Sequence, residues 1–163
     1  MLNNIAREAR PQARMYKHIL IPTDGSQVAE RAVDAGIEFA RWAKARVTGF
    51  TAVPEYDYNV SGHAELVSGH VVSMAEHEAR SRDRADEVLG RLAGKARAAG
   101  VEFDTDFVQS NHPWEAIVAA AHKHGCDLIF IASHGRRGFS ALMHGSETHG
   151  VLTHCKIPTL VYR

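Results

Sequence analysis

The chain has 163 residues, 45% hydrophobic and 23% charged, and its 19 basic side chains are balanced by 19 acidic ones. That length fits one domain able to bury roughly two-thirds of its unfolded surface, and zero net charge excludes a nucleic-acid binder driven by a basic field. No run of 18 apolar residues occurs, so no membrane-spanning helix is expected.

Residues 1–15 carry Arg7, Arg10 and Arg14 but no apolar block, and read as a poorly ordered N-terminal arm rather than a secretory signal. Met15 stands directly before the first strand and is a second candidate start, which N-terminal sequencing of the native protein would decide. The folded domain is expected over residues 16–163.

His18-Ile19-Leu20-Ile21 is a short apolar strand closed by Pro22-Thr23-Asp24-Gly25. Ser26 opens a helix in which Ala29, Ala32, Val33, Gly36, Ile37 and Ala40 recur at i, i+3, i+4 and i+7. A β-branched run over 47–53 is the second strand, stopped by Pro54. Residues 54–70 show no clear period and contain Gly62 and Gly69, so they read as a long loop or a loosely helical excursion. A long helix is predicted from about Val71 to Ala99, with Val71, Ala75, Ala85, Val88, Leu89, Leu92, Ala96 and Ala99 as its apolar stripe and Gly100 as its C-cap.

Alternation over 103–108 gives the third strand. Pro113 then starts a helix with Ala116, Ile117, Ala120 and Ala121 inward and Gly125 at its end. The remaining elements are a strand over 128–132, a short helix over 146–154 and a last strand over 159–162. Cys126 and Cys155 each precede a strand and form no CxxC pair, which fits reduced thiols in a cytoplasmic protein.

This alternation predicts an open, Rossmann-like parallel α/β sheet with helices on both faces. Ligands of such sheets sit at the carboxyl ends of the strands, where the strand order reverses. The pattern alone does not give that order.

One segment points to chemistry. Ile129-Phe130-Ile131-Ala132-Ser133-His134-Gly135 is followed by nine residues and then Gly145-Ser146. This reads as a buried strand, a loop with basic residues, and a glycine-serine start to a helix. Unpaired amides and partial positive charge at a helix N-terminus favour an anion, and glycines allow the backbone to approach it closely. The pattern therefore predicts a phosphate-bearing ligand; Arg136 and Arg137 either reach it or are equally the solvated side chains of an ordinary loop.

Three stretches together resemble the universal stress protein family. They are Tyr16-Lys17-His18-Ile19-Leu20-Ile21-Pro22-Thr23-Asp24-Gly25-Ser26, the spaced motif from Ala132 to Ser146, and Ile157-Pro158-Thr159-Leu160-Val161-Tyr162. The resemblance covers about residues 15–163. It implies a five-stranded parallel sheet of order 3-2-1-4-5, a homodimer formed through the last strand at 159–162, a role in stress response, and ATP as ligand, alone or with Mg²⁺ or Mn²⁺.

By the same resemblance Pro22, Thr23 and Asp24 face the adenine and ribose side, and Ala52 touches the base through its backbone. Ala132, Ser133, His134, Gly135, Arg136, Gly145, Ser146, Glu147 and Thr148 form the phosphate side. Asp24-Gly25 is equally a common turn pair, and Ser146 equally an ordinary N-cap. Two residues depart from the family motif. Ala132 replaces a glycine, and Glu147 places a carboxylate beside the phosphate position, where it repels a triphosphate unless it points elsewhere.

The chain has no Walker A lysine, no GxSxG and no GxGxxG after the first strand. At most slow ATP hydrolysis is expected, and a nucleotide-free dimer of the same fold is the alternative to an ATP binder. His63, His70 and His77 recur every seven residues, about 10 Å apart on a helix. That is too far for one metal ion, so they read as solvated side chains.

Overall fold

Strands and helices alternate strictly along the chain: β1 (His18–Pro22), α1 (Gln27–Ala43), β2 (Arg46–Val53), α2 (Met74–Ala98), β3 (Phe103–Gln109), α3 (Pro113–Lys123), β4 (Leu128–Ala132), α4 (Ser146–His154) and β5 (Thr159–Tyr162). These elements come from a computed structural model, which describes residues 15–56, 73–133 and 146–163. The expected arm and the loop over 54–70 fall wholly or largely outside the described residues.

All strand pairs are parallel, and the sheet order is β3-β2-β1-β4-β5. The chain therefore builds outward from β1 in one direction, returns, and builds outward in the other.

The period-two alternation of strand side chains splits the core into two layers. Ile19, Ile21, Val47, Leu128, Phe130 and Ala132 pack with α1 and α2 on one face. Leu20, Phe50, Ile129 and Ile131 pack with Ile117, Ala120 and Ala121 of α3 and Val151 of α4 on the other. β1 and β4 are buried at every position, as central strands of a doubly covered parallel sheet must be.

α1 and α2 each start at a side-chain cap. Ser26 Oγ accepts from the Ala29 amide at 3.2 Å, and the six predicted inward positions of α1 are all buried. α2 starts later than the apolar pattern predicted. Ser73 is extended and forms a capping box, its Oγ accepting from Glu76 N at 3.2 Å while Glu76 Oε2 accepts from Ser73 N at 2.8 Å. Ala75, predicted inward, is exposed, because burial of α2 begins only at Ser81.

His18 is a buried polar residue on β1. Its Nε2 lies 2.7 Å from Thr48 Oγ1, and its Nδ1 finds no partner among the described residues. Burial, helped by the charge of Arg46, pushes the His18 pKa below its ordinary value of 6.5. The unfolded chain thus takes up this proton before the folded one does. Stability from a neutral His18 is fully present above 6.5 and is lost as pH falls through the folded value. Urea denaturation at pH 7.5 and 5.5 is expected to show a steeper loss in the wild type than in His18→Asn. Equal losses would mean that His18 stays hydrated in the fold.

Candidate functional site

The reversal in strand order makes a fork. β1 and β4 pair only at Ile19↔Leu128 and Leu20↔Ile129. β1 stays registered with β2 as far as Pro22↔Phe50, and β4 stays with β5 as far as Ala132↔Tyr162. Past Leu20 and Ile129 each central strand therefore follows its outer neighbour, and a crevice opens between them.

Asp127 holds the closed end. Its carboxylate accepts from the Lys17 amide at 2.9 and 3.1 Å and from the His18 amide at 3.0 Å. Its own amide donates to His18 O at 2.9 Å.

The β1 arm of the fork ends in Pro22-Thr23-Asp24. Pro22 has no amide to extend a ladder. Thr23 is buried, its amide donating to Phe50 O at 2.8 Å and its Oγ1 accepting from Gly25 N at 3.2 Å. Asp24 Oδ1 accepts from Ser26 N at 3.0 Å, an Asx turn that leads into the α1 cap. Gly25 has φ +74°, and a Cβ there would lie 2.9 Å from both Val88 Cγ2 and Arg91 Nη2. The positive φ and the close approach of α2 together favour glycine at this turn.

The β4 arm ends in Ala132-Ser133. Ala132 belongs to the α1-side core layer, so the methyl that replaces the motif glycine packs into that core. The buried Ser133 donates its amide to Tyr162 O at 2.7 Å. Ala52, half-buried on β2 and paired with Val108, packs against the α3–α4 layer.

α4 begins at Ser146, beyond the tip of β4. The buried Thr148 donates its hydroxyl to Ala132 O at 2.8 Å, which ties the first turn of α4 to the end of β4. Glu147 turns sideways. Its Oε2 accepts from the Trp114 amide at 2.8 Å, and its Oε1 accepts from Ser146 Oγ at 3.2 Å. α3 has no cap of its own, because His112 makes no side-chain hydrogen bond at the N-cap position. Glu147 takes that place from the neighbouring helix, and its charge suits the positive end of the α3 dipole.

The two helices are also keyed by shape. A Cβ on Gly150 would overlap the Trp114 ring, and that ring stacks on His154 at 4.5 Å between centroids.

The fold thus brings together Pro22, Thr23, Asp24, Ala132, Ser133, Ser146, Glu147 and Thr148 around one crevice. His134, Gly135, Arg136, Arg137 and Gly145 lie outside the described residues. Sequence reasoning missed Asp127, whose partners lie 109 and 110 residues earlier, and missed Trp114 as the partner of Glu147. Among the described residues no group of three histidine, cysteine or acidic side chains gathers to hold a metal. His77 instead lies 3.0 Å from Pro54 O and edge-on to Tyr56.

The sequence profile of the universal stress protein family matches residues 15–163. The chain belongs to this family. Universal stress protein MJ0531 of Methanocaldococcus jannaschii is 28% identical over 166 residues, covering 100% of this chain and 89% of the relative. YxiE of Bacillus subtilis is 25% identical, covering 91% of this chain and 100% of its own.

Among solved structures, MJ0577 of M. jannaschii superposes with a TM-score of 0.69 at 24% identity, over 90% of this chain and 95% of that one. A universal stress protein of Archaeoglobus fulgidus in complex with dAMP gives 0.64 at 19% identity, over 91% and 98%. A universal stress protein in complex with cAMP gives 0.62 at 21%, over 91% and 97%. These likenesses confirm the fold and the strand order implied by the sequence resemblance.

The sideways turn of Glu147 is testable in this universal stress protein without any ligand. Glu147→Ala should cost about 1 kcal/mol of stability, as loss of a helix cap does. Glu147→Gln, which keeps an acceptor oxygen, should cost less. Thermal denaturation reads both, and an alanine variant as stable as the wild type would place Glu147 in solvent. Gly150→Ala should destabilise by about 1–3 kcal/mol through overpacking against Trp114.

Proposed function

We propose that this universal stress protein is a cytoplasmic homodimer that binds an adenine nucleotide, ATP, in the β1–β4 crevice and changes its partner contacts in a stress response. Thr23 and Asp24 would meet the ribose and base, together with the backbone of Ala52. Ser133, Ser146 and the first-turn amides of α4 would meet the phosphates, with Mg²⁺ or Mn²⁺ as counter-ion. The position of the crevice at the strand-order reversal supports this reading. So do relatives of the same fold that were solved with cAMP and with dAMP.

The observation that carries the reading is the hydrogen bond from Trp114 N to Glu147. A carboxylate facing a phosphate at 4 Å would oppose each unit of charge by about 4 kcal/mol at an effective dielectric near 20. Held on the α3 N-terminus, Glu147 is aimed at a positive helix end instead. The Ala132 methyl, packed in the core, likewise leaves the crevice to the ligand. β5 forms one edge of the sheet, and its half-buried residues 159–162 supply the surface for pairing with a second copy.

Calorimetric titration with ATP is the test, alongside mass spectrometry of nucleotide released by denaturing freshly purified protein. Saturable heat is expected in the wild type, with affinity at least tenfold weaker in Asp24→Ala. Asp24→Asn, which keeps an acceptor for Ser26 N, separates loss of charge from loss of the turn. No released nucleotide and no heat at millimolar ATP would favour the nucleotide-free dimer.

A further inference from the structure

The N-terminal ends of the strands, opposite the crevice, carry a second concave surface. The charged residues that line this depression of about 400 Å³ are Lys17, Arg41, Lys44, Arg46 and Glu102, four cations against one carboxylate. Arg41 pairs with Glu38 at 3.0 Å. Among the described residues Lys17, Lys44 and Arg46 form no ion pair, and all three are exposed. In a chain of zero net charge, this is a local excess of positive charge around one hollow.

The fold explains part of it. Lys44 is the C-cap of α1 and suits the negative end of that helix dipole. It stands there at φ +54°, a left-handed conformation that glycine usually supplies. Lys17 and Arg46 have no helix end to serve. Arg46 opens β2 and Lys17 directly precedes β1, and the Arg46 amide donates to Lys17 O at 3.0 Å. Like charges on neighbouring strands repel, and an anion held between them relieves that repulsion.

The backbone around the hollow narrows the class of anion. Compact phosphates are held largely by unpaired amides. Here the Lys17 amide donates to Asp127, Lys44 N to Arg41 O at 3.3 Å, Ala45 N to Ala40 O at 2.9 Å, Gly100 N to Arg97 O at 3.1 Å and Val101 N to Ala96 O at 3.0 Å. An anion in the depression therefore meets side chains. Separate, flexible cations suit several carboxylates spread along a chain better than one phosphate. Gly100 leaves room for such a chain, since no atom lies within 4 Å of the position its Cβ would take.

We propose that this depression binds an acidic segment of a partner protein, a short run of aspartate or glutamate whose carboxylates meet Lys17, Lys44 and Arg46. The site lies at the opposite end of the sheet from the crevice, so it stands independently of the nucleotide reading.

A fluorescein-labelled hexaglutamate peptide is the probe, and its anisotropy during titration with the full chain is the readout. Saturable binding that weakens as salt is raised is expected, and no binding at low salt would overturn the proposal. Lys17→Glu combined with Lys44→Glu should weaken binding about tenfold. Arg31→Glu combined with Arg80→Glu makes the same change in net charge at exposed positions of α1 and α2, and should leave binding in place. Equal weakening by both pairs would overturn the proposal, because net charge alone would then account for it. Displacement of the peptide by equimolar inorganic phosphate, or tighter binding of duplex DNA to the same residues, would also overturn it by making phosphate the ligand class. Lys44→Gly keeps the test sound if the double reversal fails to fold. It relieves the left-handed conformation, so its melting temperature should hold or rise while peptide affinity falls about threefold. Unchanged affinity in that variant would count against the site. Glu102→Gln should act in the opposite sense and tighten binding, and a weakening there would contradict the proposed contact.

Discussion

The Asp127 carboxylate, holding the amides of Lys17 and His18, fixes the closed end of the β1–β4 fork, and the site follows from it. A charged acceptor shared by two backbone amides is among the stronger hydrogen-bond arrangements available to a protein. It sets the register in which Ile19 meets Leu128 and Leu20 meets Ile129. Beyond those pairs the strands part, each bound to its outer neighbour. The crevice is therefore a consequence of strand order and pinning, and its rim residues need only be the last residues of β1 and β4.

The second constraint is the attachment of α4. Thr148 bonds the end of β4, Glu147 caps α3, and Gly150 accepts the Trp114 ring. Three successive contacts along one short helix leave it little freedom to rotate. α4 has only nine residues and would be marginal alone, so these tertiary contacts supply its definition. They also direct the Glu147 carboxylate toward the N-terminus of another helix, where its charge is favourable.

Much of this was legible in the amino-acid order. The α1 stripe, the capping Ser26, the strand over 128–132 and the short helix over 146–154 all follow from local rules of period and capping, and they appear where those rules place them. The start of α2 was misread although its signal was present. Ser73-Met74-Ala75-Glu76 is a capping box, but the apolar Val71 and Ala75 suggested a longer stripe. Strand order came from resemblance to a family and not from pattern, because each strand's choice of neighbour depends on residues far away in the chain. The direction of Glu147 could not be read at all. Helix geometry permits it to face the crevice or the neighbour, and only the uncapped start of α3 decides between them. Asp127 was hidden for a similar reason, since its partners lie 109 and 110 residues earlier.

In the proposed complex the open end of the fork receives an adenine nucleotide while the pinned end stays closed. Amide resonances of the uniformly ¹⁵N-labelled chain during an ATP titration test this residue by residue. The shifts should concentrate at Thr23, Asp24, Ser133, Ser146 and Thr148, and Lys17, His18 and Asp127 should stay in place. Unmoved crevice resonances at saturating ATP, or shifts confined to other surfaces, would contradict it.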